Sequence, residues 1–345
     1  MLRYLLACAL ALAAAYAHAG MGMARLDGLQ GDAPVIVYYP TAAAEQPVQR
    51  GPFNFLAAPD VRPERGNGRL VVISHGSGGN AWVHSDLARE LVKAGYVVAL
   101  PHHRGDHAMD DDHPGPESWK LRPAEVSRAI DAVAKDARFA PLLSVDKVGV
   151  FGQSAGGHTA LTLAGGRWSP GLFLKHCRAH IGEDFNACVG TATELHGDFL
   201  DGLKKLVAVG VLRQRFDEDA LVGYTDPRIA AAVAGVPAAA DFDPASLAQP
   251  KVPLGLVTAG RDPWLAPRFH SDRVLAACRP RCELIAHVAQ GGHSILLGPM
   301  PPLDVLGKVE RHLLADPSGF DRGELPAVNQ KIVAFFDRHL KQPRP

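Results

Sequence analysis

Two continuous apolar runs that end in glycine constrain this chain more than any other feature. LVVIS at 70–74 leads into HGSGG, and VGVF at 148–151 leads into GQSAGG. A run without polar alternation is buried on both faces, the position of a central strand in a parallel sheet covered by helices on each side. The segments around them agree. VIVYYP (35–40) reads as a strand, and a Pro/Gly/Arg-rich connection is expected from Glu45 to Gly68. SDLARELVKAGY has helical spacing, a Ser-Asp start and a stop at Gly95, and YVVALP is the next strand. PAEVSRAIDAVAKDA reads as a helix with Pro123 near its start. Alternating strand and helix predicts an α/β fold with a mostly parallel central sheet and helices on both faces.

The periodicity weakens from Arg167 to Pro227, apart from a mixed helical stretch between Asp198 and Phe216. That segment is read as a cap-like insertion. Strand signals return at RIAAAVAGVPA, VPLGLVTAG and ELIAHVA, PRFHSDRVLAAC reads as helical, and NQKIVAFFDRHL closes the chain as an amphipathic helix.

At its start the chain reads MLRYLLACALALAAAYAHAG, an arginine, an apolar run and the small-x-small triplet Ala17, His18, Ala19. This is the pattern of a secretory signal peptide over residues 1–19, and the run is shorter than the roughly 20 residues of a membrane span. The rest, from Gly20, is expected to be one exported domain without stable membrane insertion, its hydrophobic content of 47% enough for a large core. Formal net charge is zero with both signs mixed, so no nucleic-acid partner is expected.

Gly152-Gln153-Ser154-Ala155-Gly156 places a serine between a strand and a helix, with small residues where side chains would collide with neighbouring elements. A hydroxyl becomes a useful nucleophile only when a base takes its proton and an acid orients that base. Asp262 follows a late strand in GLVTAGRDPWLAP, and His293 sits in a glycine loop after the last strand in HVAQGGHSILL. The order Ser154, Asp262, His293 fits a catalytic triad. Asp262 also reads as a helix cap before Pro263, and Asp241 and Asp243 are the alternative acids. An oxyanion needs backbone donors, and the amides of Ser77, in the glycine loop, and of Ala155 are the candidates; the side chain of Ser77 is not required.

PHHRGDHAMDDDHPGP carries four histidines and four aspartates between His102 and His113. No established ligand spacing is met, and a solvated rim is the simpler reading. Cys177 with Cys188 and Cys278 with Cys282 form two local pairs, which in an oxidising compartment suggests two disulfides. Other connectivities stay open, and zinc is the competing reading of the second pair.

With YYPT, RGPF, VISHGSGG, AGYVVALPHHRGD, GQSAGGHTAL, DPRIAAAV and GRDPWLAP in this order, the chain resembles the α/β-hydrolases. More narrowly, it resembles exported bacterial relatives of dienelactone hydrolase and platelet-activating-factor acetylhydrolase. The resemblance implies a serine carboxylic-ester hydrolase acting on small or lipid-like esters without a cofactor or metal. Ser154, Asp262 and His293 would be its triad and the amides of Ser77 and Ala155 its oxyanion donors. A peptidase or amidase, a polyester hydrolase, and a non-catalytic binding protein of the same fold are the alternatives. Two departures stand out: serine replaces the cysteine of dienelactone hydrolases proper, and His158 occupies a position where an aromatic residue is expected.

Overall fold

The structure is a computed structural model and describes residues 20–341; the expected signal peptide lies outside the described residues. Ten strands form one sheet: β1 (Gly20–Leu26), β2 (Val35–Thr41), β3 (Gln46–Arg50), β4 (Phe53–Pro59), β5 (Leu70–Ser74), β6 (Val97–Pro101), β7 (Val148–Gln153), β8 (Ile229–Gly235), β9 (Leu254–Ala259) and β10 (Cys282–Val288). Their spatial order is β10-β9-β8-β7-β5-β6-β2-β1-β4-β3. Strands β5 to β10 pair in parallel with their neighbours, and β2 joins them antiparallel through β6. This is the α/β-hydrolase fold.

Side chains of β5 show why the apolar runs are unbroken. Leu70 and Val72 enter one core and Val71 and Ile73 the other, so both faces of the strand are dry. Helices α2 (Pro116–Lys135), α3 (Ala155–Leu163) and α8 (Ser271–Cys278) cover the first face. Helices α1 (Ser85–Lys93) and α10 (Leu325–Leu340) cover the second. A smaller cluster of Phe173, Cys177, Cys188, Leu212 and Phe216 lies among α4 (Pro170–His180), α5 (Phe185–Val189) and α6 (Asp201–Arg215), between α3 and β8. Two short helices, α7 (Pro244–Leu247) and α9 (Lys308–Leu314), complete the chain. No helix among the described residues is long and apolar enough to cross a membrane.

Three expectations are corrected. The connection from Glu45 to Gly68 contains the hairpin β3–β4, turned at Gly51 with φ +56°. Only one β3 residue, Val48, is buried, so no two-period apolar signal marks the strand. The helix expected from Pro123 begins at Pro116 behind Gly115, and Pro123 lies inside it. Finally, PRFHSDRVLAAC is interrupted at His270 (φ −118°, ψ −95°), where a 3₁₀ turn at Pro267–Phe269 gives way to α8.

Candidate active site

The turn from β7 into α3 holds Ser154 at φ 58°, ψ −120°, a left-handed φ that a non-glycine residue adopts only at a cost. Surrounding bonds hold that conformation: the Ser154 amide donates to Gly235 O at 3.1 Å, and its carbonyl accepts from His158 N at 3.0 Å and Ala238 N at 3.1 Å. Two glycines make the turn possible. A Cβ on Gly152 would lie 1.9 Å from Gly156 O, and one on Gly156 would lie 1.9 Å from Ser74 O.

The loops after β9 and β10 bring the other expected residues to this turn. Ser154 Oγ lies 3.0 Å from His293 Nε2, and His293 Nδ1 lies 2.8 Å from Asp262 Oδ2. A carboxylate only accepts, so Nδ1 carries the proton and Nε2 is left to receive one from the hydroxyl. Asp262 Oδ1 meanwhile accepts from Trp264 N at 2.8 Å and Leu265 N at 3.0 Å. One oxygen of Asp262 therefore caps its own turn, and the other bonds the imidazole of His293. The two alternative acids face elsewhere. Asp241 Oδ2 bonds His158 Nε2 at 3.0 Å, and Asp243 accepts from Ala245 N and Ser246 N at the start of α7.

His158, the departure noted in the sequence, is fully buried against Trp119, Trp168 and Phe242. It packs as an aromatic ring while its Nε2–H satisfies Asp241.

Beyond β5, the chain turns through His75–Gly79 against the elbow. A Cβ on Gly76 would sit 3.3 Å from Ser154 Cβ, so the loop and the serine are in direct contact. His75 Nδ1 donates to Gly76 O at 2.7 Å, and Nε2 accepts from His103 N at 3.3 Å. Burial drives its pKa well below the ordinary histidine value, so the ring is neutral. Ser77 Oγ donates to Asp106 Oδ1 at 2.5 Å. The Ala155 amide is the first of α3 and has no acceptor four residues back within the helix.

The His/Asp-rich segment is not a solvated rim throughout. His102, His103, Asp106 and His107 are buried, whereas Asp111, Asp112 and His113 are exposed. His103 bridges Glu125 Oε2 at 2.6 Å and Ser74 Oγ at 2.7 Å. Hydrophilic composition hid this, because the partners of His102, His103 and Asp106 lie far away in sequence, at Pro34, Glu125 and Ser77.

Sequence reasoning also missed Gln153, Asp184 and Asn186. Asp184 Oδ1 accepts from Ala266 N at 3.1 Å and Asn186 Nδ2 donates to Pro263 O at 2.9 Å, so the helical insertion grips the loop that carries Asp262. Asp184 Oδ2 lies 2.8 Å from His176 Nε2 and 2.9 Å from His270 Nε2. Among the described residues, these three form a group whose ligand atoms lie within 4.8 Å of one another, close enough for a metal ion. The proton inventory favours plain hydrogen bonding. His270 Nδ1 accepts from Ala239 N at 2.9 Å, so its proton sits on Nε2 and points at Asp184. Although burial raises the Asp184 carboxyl, the bonds from His176 and His270 outweigh it and hold the pKa well below the usual range.

Both expected disulfides are present. Cys177–Cys188 joins α4 to α5 and Cys278–Cys282 joins α8 to β10, so among the described residues no cysteine is left as a free thiolate for zinc.

Residues 55–169, which include the His75–Gly79 loop and the turn that carries Ser154, match the dienelactone hydrolase family. No curated protein matches the chain in sequence. Among solved structures, a ferulic acid esterase from Streptomyces cinnamoneus is similar in fold, with a TM-score of 0.61 and 17% identity over 95% of this chain and 92% of that one.

Proposed function

We propose that this α/β-hydrolase, similar to the dienelactone hydrolases over residues 55–169, is a serine carboxylic-ester hydrolase working through an acyl-enzyme. The observation that carries the reading is the unbroken line from Asp262 through His293 to Ser154, at 2.8 and 3.0 Å. In the proposed reaction, Ser154 Oγ attacks the ester carbonyl as its proton passes to His293 Nε2. Negative charge on the carbonyl oxygen is received by the amides of Ala155 and Ser77. His293 then returns the proton to the leaving alkoxide, and Asp262 stabilises the imidazolium between the two transfers. Water, deprotonated by the same histidine, attacks the acyl group; the bond to Ser154 Oγ then breaks as Oγ takes that proton back from His293, and the acid is released. Every proton is accounted for by these three side chains, so the scheme requires no cofactor.

The insertion supports a role as a cap that sets substrate choice, since Asp184 and Asn186 bond the loop of Asp262. Phe199, Leu203, Leu206 and Val207 on or beside α6 are exposed, and an apolar outer face supports lipid-like over strongly polar esters. Two disulfides support an oxidising, extracytoplasmic location.

The test is fluorophosphonate labelling of the purified protein, with the modified residue located by mass spectrometry. Labelling at Ser154 that is lost in Ser154→Ala and His293→Ala is expected, together with turnover of p-nitrophenyl esters. A folded sample that takes no label would overturn the assignment.

A further inference from the structure

Arg122 is among the largest fully buried side chains, and its ion pair with Asp106 at 2.7 Å is buried on both sides. Arg122 Nε donates to Ser118 Oγ at 2.9 Å, and Ser118 Oγ donates to Asp106 Oδ2 at 2.8 Å. A buried ion pair is a poor source of stability, because desolvating two charges offsets most of their attraction. What distinguishes this one is where its remaining bonds go. Arg122 Nη1 donates to His75 O at 2.5 Å, and Nη2 reaches Gly76 O at 3.5 Å and Asp106 O at 3.3 Å. Asp106 Oδ1 accepts from Ser77 Oγ at 2.5 Å and from Gly78 N at 3.0 Å.

These contacts bracket one peptide group. The Gly76 carbonyl is held by His75 Nδ1, by Gly79 N at 3.1 Å and by Arg122. Across a planar trans peptide the N–H of the next residue points opposite to that carbonyl. The Ser77 N–H therefore faces away from the buried cluster, and Asp106 pins the residue from its other end. Burial pushes the Asp106 carboxyl up, but Arg122 and the hydroxyls of Ser77 and Ser118 outweigh it, which keeps the carboxylate charged and able to accept all of these bonds.

We infer that Arg122 and Asp106 are positioning residues that hold the Ser77 amide aimed at the oxyanion before substrate arrives. The inference rests on the proposed serine-hydrolase reading. A donor fixed in advance stabilises charge that exists only in the transition state, so its loss lowers kcat more than it raises KM.

The experiment uses the full chain and the variants Arg122→Lys, Asp106→Asn and Ser118→Ala. Active sites are titrated with fluorophosphonate, and kcat and KM for p-nitrophenyl acetate are expressed per titrated site. For Arg122→Lys and Asp106→Asn, kcat per site is expected to fall roughly tenfold to a hundredfold with KM changed by less than about threefold. The inhibition constant of phenylboronic acid, a tetrahedral mimic, should rise in step. Ser118→Ala, which deletes only the bridging hydroxyl and is the variant least prone to misfold, should show the same pattern at about threefold. Unchanged kcat per site with fewer titratable sites would reduce the pair to a folding role and overturn the inference alone. A folded wild-type protein that takes no label would overturn the hydrolase reading, and this inference with it.

Discussion

Gln153 Nε2 donates to the main-chain oxygen of His293 at 2.7 Å, so the residue before the elbow serine holds the loop that delivers the histidine. The bond is buried and spans 140 positions of sequence. Replacing Gln153 with Met keeps the volume and removes the bond. A buried hydrogen bond contributes about 0.5–1.5 kcal/mol, so kcat is expected to fall about threefold to tenfold with KM nearly unchanged. Steady-state kinetics on p-nitrophenyl acetate checks this, and an unchanged kcat would mean that packing alone places His293.

Asp262 separates into two functions on its two oxygens, and substitutions can divide them. Asn retains an acceptor for Trp264 N and Leu265 N but presents an amide to His293, which favours the wrong tautomer. Asp262→Asn is therefore expected to lose on the order of 10³- to 10⁴-fold in kcat with little change in melting temperature. Asp262→Ala should lose similar activity and also the cap, at about 1 kcal/mol of stability. Activity and thermal denaturation measured on both variants separate the two effects; equal melting temperatures would argue that Oδ1 caps nothing of consequence.

The Cys177–Cys188 disulfide closes a separation of 11 residues around the insertion. Loop-closure entropy assigns such a crosslink about 3 kcal/mol. Replacing both cysteines with serine is expected to lower the melting temperature. Because Asp184 and Asn186 lie inside this loop and grip the loop of Asp262, the double variant should also lose kcat below the wild-type melting range. Limited proteolysis between residues 181 and 200 would report the loosened segment, and an uncleaved variant with full kcat would contradict the coupling.

Stability should decline from about pH 6.5 towards pH 4. Burial pushes His84 down to about 4, and desolvation does the same to His102. These rings stay neutral in the folded state over a range where the unfolded chain takes up protons. Stability is thus full above the unfolded value and is lost as pH falls. For fully buried His84, the shift corresponds to about 3 kcal/mol once both states are titrated. The melting temperature of His84→Phe, whose ring can keep the contact with Phe151, should depend less steeply on pH between 7 and 4.5. Parallel curves for the two proteins would show that His84 contributes nothing to the acid limit.

The residues of the candidate triad were legible because each stands at a sequence landmark: a glycine-flanked serine after an apolar strand, an Asp-Pro after another, and a histidine between glycines after the last. The partners that hold them were not. Asp106, Arg122, Gln153 and Asp184 each bond at least one residue distant in sequence: Asp106 to Ser77, 29 positions away, Arg122 to His75, 47 away, Asp184 to Ala266, 82 away, and Gln153 to His293, 140 away. A buried polar residue carries no local signature, since burial requires only that a partner be present somewhere in the fold. The histidines and aspartates between His102 and His113 show the same limit: a polar composition resembles solvent exposure until the buried partners are known.

Periodicity and glycine placement alone determined the α/β architecture, the central strands and the strand-turn-helix elbow, while the spacing of the cysteines suggested two local pairs and left their connectivity open. These depend on local conformational preference and on which faces of an element are dry, and both are written in neighbouring residues. Tertiary structure decided the edge hairpin β3–β4, the interior place of Pro123, the break at His270, and the bonding of the His75–Gly79 loop to Asp106. At His270 and in the His75–Gly79 loop a contact across the fold outweighs a local preference, because a buried polar group without a partner costs free energy.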